Sequence, residues 1–221
     1  AFLLRPQNWL KSIGKYKAVT AGGPNFAFDY CCERVTDEML DEIDLQSVRP
    51  LFCGAEPIRK ETLENFSEKF KACGFSIDQF YPCYGLAENT LIVTGGELNS
   101  KPVFLEVDGR KLEQGEFEVV VDKSEKGMQT LVGCGFPMVG TTVCIVEPSV
   151  HNILQHSKIG EIWVAGPSVA KGYWNNKQKS RELVKIWKMQ VRKKKEQIDS
   201  LSNVLQKMRT DKNMINQNLQ V

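Results

Sequence analysis

The first 84 residues alternate between short apolar runs and segments whose apolar positions recur at helical spacing. Strands are predicted over residues 16–20, 47–52 and 79–81, and helices over residues 25–34 and from Pro57 through Cys73. In the last of these helices, Leu63, Phe66 and Phe70 are spaced three and four apart and therefore share one face. Strand–helix–strand units of this kind build parallel sheets with right-handed crossovers, so the predicted fold class is α/β.

The pattern changes between residues 101 and 173, where short alternating runs replace the helical spacing. Turn residues separate the runs, which cover residues 103–107, 117–121, 130–132, 142–146 and 161–164. Such evenly spaced short strands predict a β-rich subdomain, either an antiparallel sheet or a small distorted barrel.

Beyond Trp174 the chain contains no glycine or proline, and apolar positions recur at alternating three and four spacing from Val184 to Leu219. This heptad pattern predicts a long C-terminal helix, although two of its core positions are lysine. Three interpretations stay open: a solvated amphipathic helix, a coiled coil that makes a homo-oligomer, and a nucleic-acid-binding arm around residues 192–195. Residues 176–221 contain 12 Lys or Arg against 4 Asp or Glu, so this tail is basic while the remainder is mildly acidic.

Composition narrows the class of protein further. The chain has 221 residues, of which 42% are hydrophobic and 25% charged, as in soluble globular proteins. No apolar run reaches the roughly 18 residues of a membrane span, and the first residues given lack the charged-then-apolar pattern of a signal peptide. The seven cysteines form no C-x-x-C pair, which favours reduced thiols in a cytoplasmic protein over a zinc site. His151 and His156 have no Cys or carboxylate at metal-ligand spacing, so no role is assigned to them.

Two segments follow predicted strands of the parallel sheet, at the ends where such sheets bind ligands: residues 54–57 and residues 84–88. Glu88 is suited to hold a magnesium ion, or it complements a helix dipole only. The Tyr84 ring is suited to stack on a planar base, or it packs at the rim of the core. Gly54 permits close approach of a flat ligand, or it forms an ordinary turn.

Four motifs in order resemble those of the adenylate-forming superfamily, and their wording is closest to its fatty-acyl-AMP ligase branch. They are residues 22–29 (GGPNFAFD), 54–58 (GAEPI), 80–90 (FYPCYGLAENT) and 160–174 (GEIWVAGPSVAKGYW). The similarity extends from about Leu4 to about Asn176. Ala87 stands where many members of the superfamily carry Thr, and alanine is usual in this branch.

The resemblance implies that ATP and a fatty acid react to give an acyl-adenylate and pyrophosphate. The acyl group would then pass to an acyl carrier protein or a polyketide synthase, with neither nucleic acid nor a membrane span involved. Position in the motifs implies an ATP or AMP site formed by Gly54, Ala55, Glu56, Pro57, Tyr84, Gly85, Leu86, Ala87 and Glu88. It also implies that Glu88 holds Mg2+, and that the acyl pocket is shaped by Gly22, Gly23 and Phe26.

Three domains are expected from the resemblance: the end of the parallel-sheet AMP-binding subdomain (residues 1–98), the β-rich subdomain (99–175) and the helical tail (176–221). Residues 99–128 resemble the extra segment of the fatty-acyl-AMP ligase branch, proposed to keep the product from coenzyme A. The branch's phosphate-binding loop and catalytic lysine have no counterpart here, so no catalytic residue is assigned. We therefore expect a central fragment that is inactive alone and poorly soluble, because half a parallel sheet leaves an unpaired edge.

Two other interpretations stay open. In the first, the chain is an inactive adenylation-like binding module that oligomerises through its C-terminal helix. In the second, the chain is an artefact of gene prediction, in which an unrelated tail follows part of an enzyme.

Overall fold

The computed structural model describes residues 2–120, 127–155 and 158–181. It divides into two compact units, residues 1–169 and 170–221. The strands of the described part all lie in the first unit: β1 (Ala21–Gly23), β2 (Leu51–Cys53), β3 (Phe80–Leu86), β4 (Leu91–Gly95), β5 (Phe104–Asp108), β6 (Met128–Val132), β7 (Phe136–Pro137), β8 (Thr142–Val146) and β9 (Glu161–Ala165). The predicted domain boundaries at 98 and 175 stay predictions.

The largest sheet is mixed, with strand order β1-β2-β3-β4-β7. Strands β1, β2 and β3 are parallel, so that Gly23 lies opposite Cys53 and Cys53 opposite Pro82. Strand β4 then pairs with β3, and β7 pairs with β4, each in antiparallel orientation. The predicted α/β class and its parallel strands are therefore confirmed, and the antiparallel extension was not predicted.

The α-helices are α1 (Gln7–Tyr16), α2 (Asn25–Arg34), α3 (Lys60–Lys69) and α4 (Gly109–Glu113). Helix α2 has the predicted bounds. Helix α3 is followed by a 3-10 turn at Lys71–Cys73 and then by Gly74, whose positive φ of 80° ends the helical segment.

The core lies between the sheet and helices α2 and α3, and phenylalanine rings fill much of it. Phe66 on α3 contacts Phe28 on α2 and Phe75, each with ring centroids 5.1 Å apart. Phe80 at the start of β3 lies 5.1 Å from Phe28 in an edge-on contact. Such edge-to-face pairs are favourable for aromatic rings, so this cluster ties both helices to the central strand.

The strand predicted over residues 16–20 is wrong. Residues 7–16 form helix α1, whose Leu10 and Ile13 are buried, and Lys17 ends it in the left-handed conformation (φ 47°). The first strand starts instead at Ala21, because pairing with Leu51 sets its position. The β-propensity of the apolar residues 18–19 indicated a strand close to β1, but it did not give the correct residues.

The described residues contain no closed barrel, so that part of the predicted fold is corrected. Strands β5 and β6 form one antiparallel pair and β8 and β9 another. The strand predicted at 117–121 is reduced to a single bridge between Val119 and Val107, and residue 121 lies outside the described part. Two-stranded pairs of this length do not reach far enough around to close on each other.

The β5–β6 pair includes residues 104–128 of the segment predicted to be an insertion (99–128). Lys60 at the start of α3 lies 3.4 Å from Glu106 of β5 (Nζ to Oε1), and Glu106 Oε2 accepts a hydrogen bond from Thr130 of β6 at 2.6 Å. The Lys60 ammonium also lies 5.6 Å from the centre of the Phe104 ring. A half-buried charge cluster therefore connects this hairpin to α3.

In the second unit, the Tyr173 amide donates to Ser180 Oγ at 2.7 Å, and residues 177–181 are helical. The predicted heptad segment from 184 to 219 lies outside the described residues. Within the described part, no helix is both long enough and apolar enough to span a bilayer. All seven cysteines are free thiols, as predicted.

Candidate nucleotide site

The turn after β2 and the end of β3 lie side by side at one edge of the sheet. A Cβ on Gly54 would lie 2.9 Å from the Cys83 carbonyl oxygen and 3.0 Å from its sulfur, so a side chain at position 54 would clash. Cys83 immediately precedes Tyr84. The parallel pairing of β2 with β3 thus brings the 54–57 turn next to the residues that begin the second predicted segment.

The second segment does not begin as a loop, which corrects the sequence interpretation. Strand β3 continues through Leu86, so Tyr84 and Gly85 belong to the strand. The reason is β4, which pairs with β3 in antiparallel fashion and extends its hydrogen bonding past the point where the parallel strands stop. The pairing register shifts between Tyr84 and Gly85, as at a β-bulge, and the shift redirects the strand end.

Glu88 lies in the 3-10 turn Ala87–Asn89 that follows β3, where its side chain is half-buried. Across the described residues, no three His, Cys, Asp or Glu side chains gather closely enough to hold a metal ion by themselves. One carboxylate fits magnesium only when phosphate oxygens and water complete the coordination, as is common for this ion. Glu88 alone would therefore hold a magnesium ion only together with a bound nucleotide.

The structure adds Asn89 to this turn, a residue to which sequence analysis gave no role. Its side chain is 2% exposed, and its Nδ2 donates to the Ile92 carbonyl at 2.8 Å. Its Oδ1 is buried with no hydrogen-bond partner among the described residues. Thr90 follows with a positive φ of 65°, and its hydroxyl donates to the Ser168 carbonyl at 2.6 Å. The third and fourth motifs are therefore in direct contact.

The first motif contributes glycines that the backbone requires and one accessible ring. A Cβ on Gly22 would lie 2.5 Å from Phe52 Cβ, and one on Gly23 would lie 3.0 Å from Ala27 Cβ. Gly22 is thus required for the packing of β1 on β2, whatever else it contacts. Phe26 is 50% exposed and stacks on Tyr30 with ring centroids 5.6 Å apart, so its outer face is open to an apolar ligand.

The start of helix α2 also holds the 54–57 turn. Asn25 Nδ2 donates to the Pro57 carbonyl at 2.8 Å, and Asn25 Oδ1 accepts from the Arg59 amide at 3.0 Å. The Phe26 amide donates to Glu56 Oε1 at 3.3 Å. The sequence signal for Asn25 was its place in the first motif, but the motif alone does not show which backbone groups it contacts.

The cysteines at this edge of the sheet are protonated near neutral pH. Burial raises the pKa of the Cys53 thiol to about 12, with a smaller contribution from Cys83. Burial also raises the pKa of Cys83 and of Cys134. Because only the thiolate is a good nucleophile, these thiols are not suited to covalent catalysis at neutral pH. His151 contacts the Trp163 ring at 5.6 Å, and His156 lies outside the described residues.

Comparison with known proteins identifies the family. The family described as AMP-binding enzyme matches residues 1–174. The chain belongs to this family. It is 41% identical to the medium-chain-fatty-acid–(acyl-carrier-protein) ligase JamA of Moorena producens over 82% of the chain and 31% of that protein. It is 38% identical to the corresponding ligase TtuA of Teredinibacter turnerae over 83% of the chain and 28% of that protein.

Solved structures agree with the fold and with the branch of the family. The crystal structure of fatty acid AMP ligase from Legionella pneumophila is 44% identical, with a TM-score of 0.77 over 82% of the chain and 31% of that structure. A fatty acyl-adenylate ligase from L. pneumophila, in complex with acyl adenylate and pyrophosphate, gives a TM-score of 0.76 at 44% identity. The predicted resemblance to fatty-acyl-AMP ligases is confirmed. The chain spans 28–31% of the length of these curated relatives.

Proposed function

We propose that the chain forms part of an enzyme that activates a fatty acid with ATP, forming an acyl-adenylate and pyrophosphate, and then passes the acyl group to an acyl carrier protein or polyketide synthase. Support comes from the family, and from relatives named as fatty-acid ligases of acyl carrier proteins. The reduced thiols suit a cytoplasmic enzyme, which is where we expect it to act.

The observation that carries the proposal is the juxtaposition of the 54–57 turn with the end of β3. The purine ring would lie between the backbone of Gly54 to Pro57 and the ring of Tyr84. Gly54 has no side chain to obstruct a flat ligand, and a Tyr ring offers a face on which a base stacks. Gly85, Leu86 and Ala87 would then direct the chain toward the phosphates.

Joining a carboxylate to a phosphate brings two anions together, and that repulsion must be neutralised. Mg2+, when bound with ATP, supplies positive charge beside the phosphate oxygens. Glu88 would hold it, and its position in the Ala87–Asn89 turn directly after β3 supports this role. The remaining coordination positions would be taken by water and phosphate.

The acyl chain would contact the first motif. Phe26 offers an exposed ring face, and Gly22 and Gly23 leave the neighbouring β1 backbone without side chains. Burying a methylene contributes about 0.8 kcal/mol, so an apolar pocket here would favour medium or long chains. The length preferred would depend on the depth of the pocket.

Grafting tests the proposal. Residues 1–174 would replace the matching segment of the L. pneumophila fatty acid AMP ligase, and fatty-acid-dependent ATP–pyrophosphate exchange would be measured. We expect an active graft. In it, Tyr84→Ala should raise KM for ATP about tenfold through lost stacking, and Glu88→Gln should lower kcat about a hundredfold.

The matched control is Glu97→Gln, which removes the charge of an exposed carboxylate near the end of β4. Exchange by this variant should equal that of the graft. A folded graft without exchange, or a Glu88→Gln variant as active as its parent, would count against the proposed function. The first result would favour the inactive binding module.

A further inference from the structure

The segment between β2 and α3 has an unusual backbone. Residues 54–59 form no helix or strand, and Ala55 has a positive φ of 71°. A residue with a Cβ seldom adopts this conformation, and it persists only where the surroundings hold it in place. The segment also carries the proposed purine-binding residues, so whatever holds Ala55 also sets the shape of that site.

Asn25 is the buried group that holds the segment. Its side chain bonds on two sides, to the Pro57 carbonyl at 2.8 Å and to the Arg59 amide at 3.0 Å. The Cys53 thiol also lies 3.8 Å from Asn25 Oδ1. One side chain, 1% exposed, therefore contacts residues before and after Ala55 and leaves neither of its polar atoms unused.

Neighbours of Asn25 on α2 strengthen this attachment. The Phe26 amide donates to Glu56 Oε1 at 3.3 Å, and Asp29 one turn later forms an ion pair with Arg59. These two contacts are exposed and weaker than the buried ones. The contacts of the buried Asn25 side chain are therefore the ones that water can least replace. Their loss leaves the Pro57 carbonyl and the Arg59 amide without partners.

We propose that Asn25 is a positioning residue for nucleotide binding, which acts by holding the 54–59 segment in the conformation that accepts the purine. This inference rests on the proposed function. Asn25 does not itself touch the nucleotide. It links the first motif, next to the proposed acyl pocket, to the second motif at the proposed purine site.

The test compares Asn25 with a buried amide elsewhere in the core. Gln79 is also 1% exposed, and its Nε2 donates to the carbonyls of Leu45 and Val48 at 2.9 and 2.8 Å. In the grafted ligase, Asn25→Ala should raise KM for ATP about tenfold, the effect of leaving buried partners unsatisfied. KM for the fatty acid and kcat should change less than twofold. Gln79→Ala should lower the melting temperature similarly and leave KM for ATP unchanged.

Three further experiments guard against misfolding. Asn25→Asp keeps the volume and the acceptor for Arg59 but cannot donate to Pro57, so it should also raise KM for ATP. Ala55→Gly added to Asn25→Ala should restore part of the affinity, because glycine adopts a positive φ without strain. In the 221-residue chain itself, hydrogen exchange of the Arg59 amide should be fast in Asn25→Ala and slow in Gln79→Ala.

The outcomes separate this inference from the proposed function. An inactive graft counts against the function, and exchange of the Arg59 amide then still decides whether Asn25 holds the segment. An active graft in which Asn25→Ala leaves KM for ATP unchanged overturns the inference and leaves the function standing. Equal effects of Asn25→Ala and Gln79→Ala on KM also overturn it, because the role would then be general stability.

Discussion

At the end of β3, the surrounding backbone leaves no room for a side chain at Gly85. A Cβ at this position would lie 2.0 Å from the carbonyl oxygen of Leu91, and backbone on both strands fixes that distance. Leu91 itself has a positive φ of 152°. Because the contacted atoms belong to the backbone of the paired strand β4, a side chain at this position requires that backbone to shift.

We predict that Gly85→Ala destabilises the chain by about 2–3 kcal/mol, the usual cost of overpacking a site that cannot relax. Urea denaturation followed by circular dichroism measures the change. The matched control is Gly96→Ala, because a Cβ there meets its nearest neighbour, the Pro82 carbonyl oxygen, at 3.9 Å, an ordinary contact. Equal stability of the two variants would contradict the prediction.

The buried thiols predict how stability depends on pH. Burial raises the pKa of Cys31 and of Cys53 from an ordinary value of 9.0 to about 12 each. Above pH 9 the unfolded chain therefore loses protons that the folded chain keeps. The stabilisation is fully present below pH 9 and is lost as pH rises toward 12, at about 1.4 kcal/mol per pH unit for each thiol.

We expect the urea midpoint to fall steadily between pH 8.5 and 10.5, and to fall less steeply in Cys31→Ala, which removes one of the two thiols whose pKa is raised most. Val35→Ala is the control, because Val35 is equally buried and carries no titratable group. It should lower stability by the same amount at every pH. A Cys31→Ala slope as steep as that of the unchanged chain would refute the account.

Among the elements, α2 and α3 were predictable because their apolar positions repeat at a helical period that the helices then bury. Strand β1 was misplaced, since three residues carry little pattern and their position depends on pairing with β2. Strand β4 was missed for a similar reason. Its Val93 is buried, but Leu91, Ile92 and Val93 are consecutive apolar residues, so no alternation of apolar and polar positions marks the strand.

Strand β1 is also a terminal strand of the largest sheet described. An unpaired strand edge is a template for association between chains, and a charged side chain beside it opposes this. Val19, two residues before β1, is 64% exposed. We predict that Val19→Lys slows aggregation of the 221-residue chain, as measured by light scattering at a fixed concentration.

The control is Leu4→Lys, because Leu4 is 85% exposed in the turn before α1 and flanks no strand. It removes a comparable apolar side chain, so it should leave the rate unchanged. If both variants slow aggregation equally, general apolar exposure and not the β1 edge is responsible.

For the whole molecule, the share of the relatives that the chain covers decides what activity to expect from it. The chain spans 28–31% of their length, and we expect from the resemblance that the branch's phosphate-binding loop and catalytic lysine have no counterpart in its sequence. We therefore predict no fatty-acid-dependent ATP–pyrophosphate exchange by the 221-residue chain. The Glu88→Gln variant gives the baseline, and the intact L. pneumophila ligase is the positive control. Exchange above that baseline would refute the prediction.

The sequence alone was enough to predict the family. Four characteristic motifs follow one another along the chain, and each of them is recognised from its own consecutive residues. The same holds for α2, whose period is a local property. Long-range pairing set the rest. Tyr84 lies in a strand because pairing with β4 extends β3. The hydrogen-bond partners of Asn25 lie more than 30 residues away along the chain. Contacts across such separations depend on how strands and helices pack together. They cannot be predicted from the local residue pattern, because that pattern does not show which distant segments become neighbours.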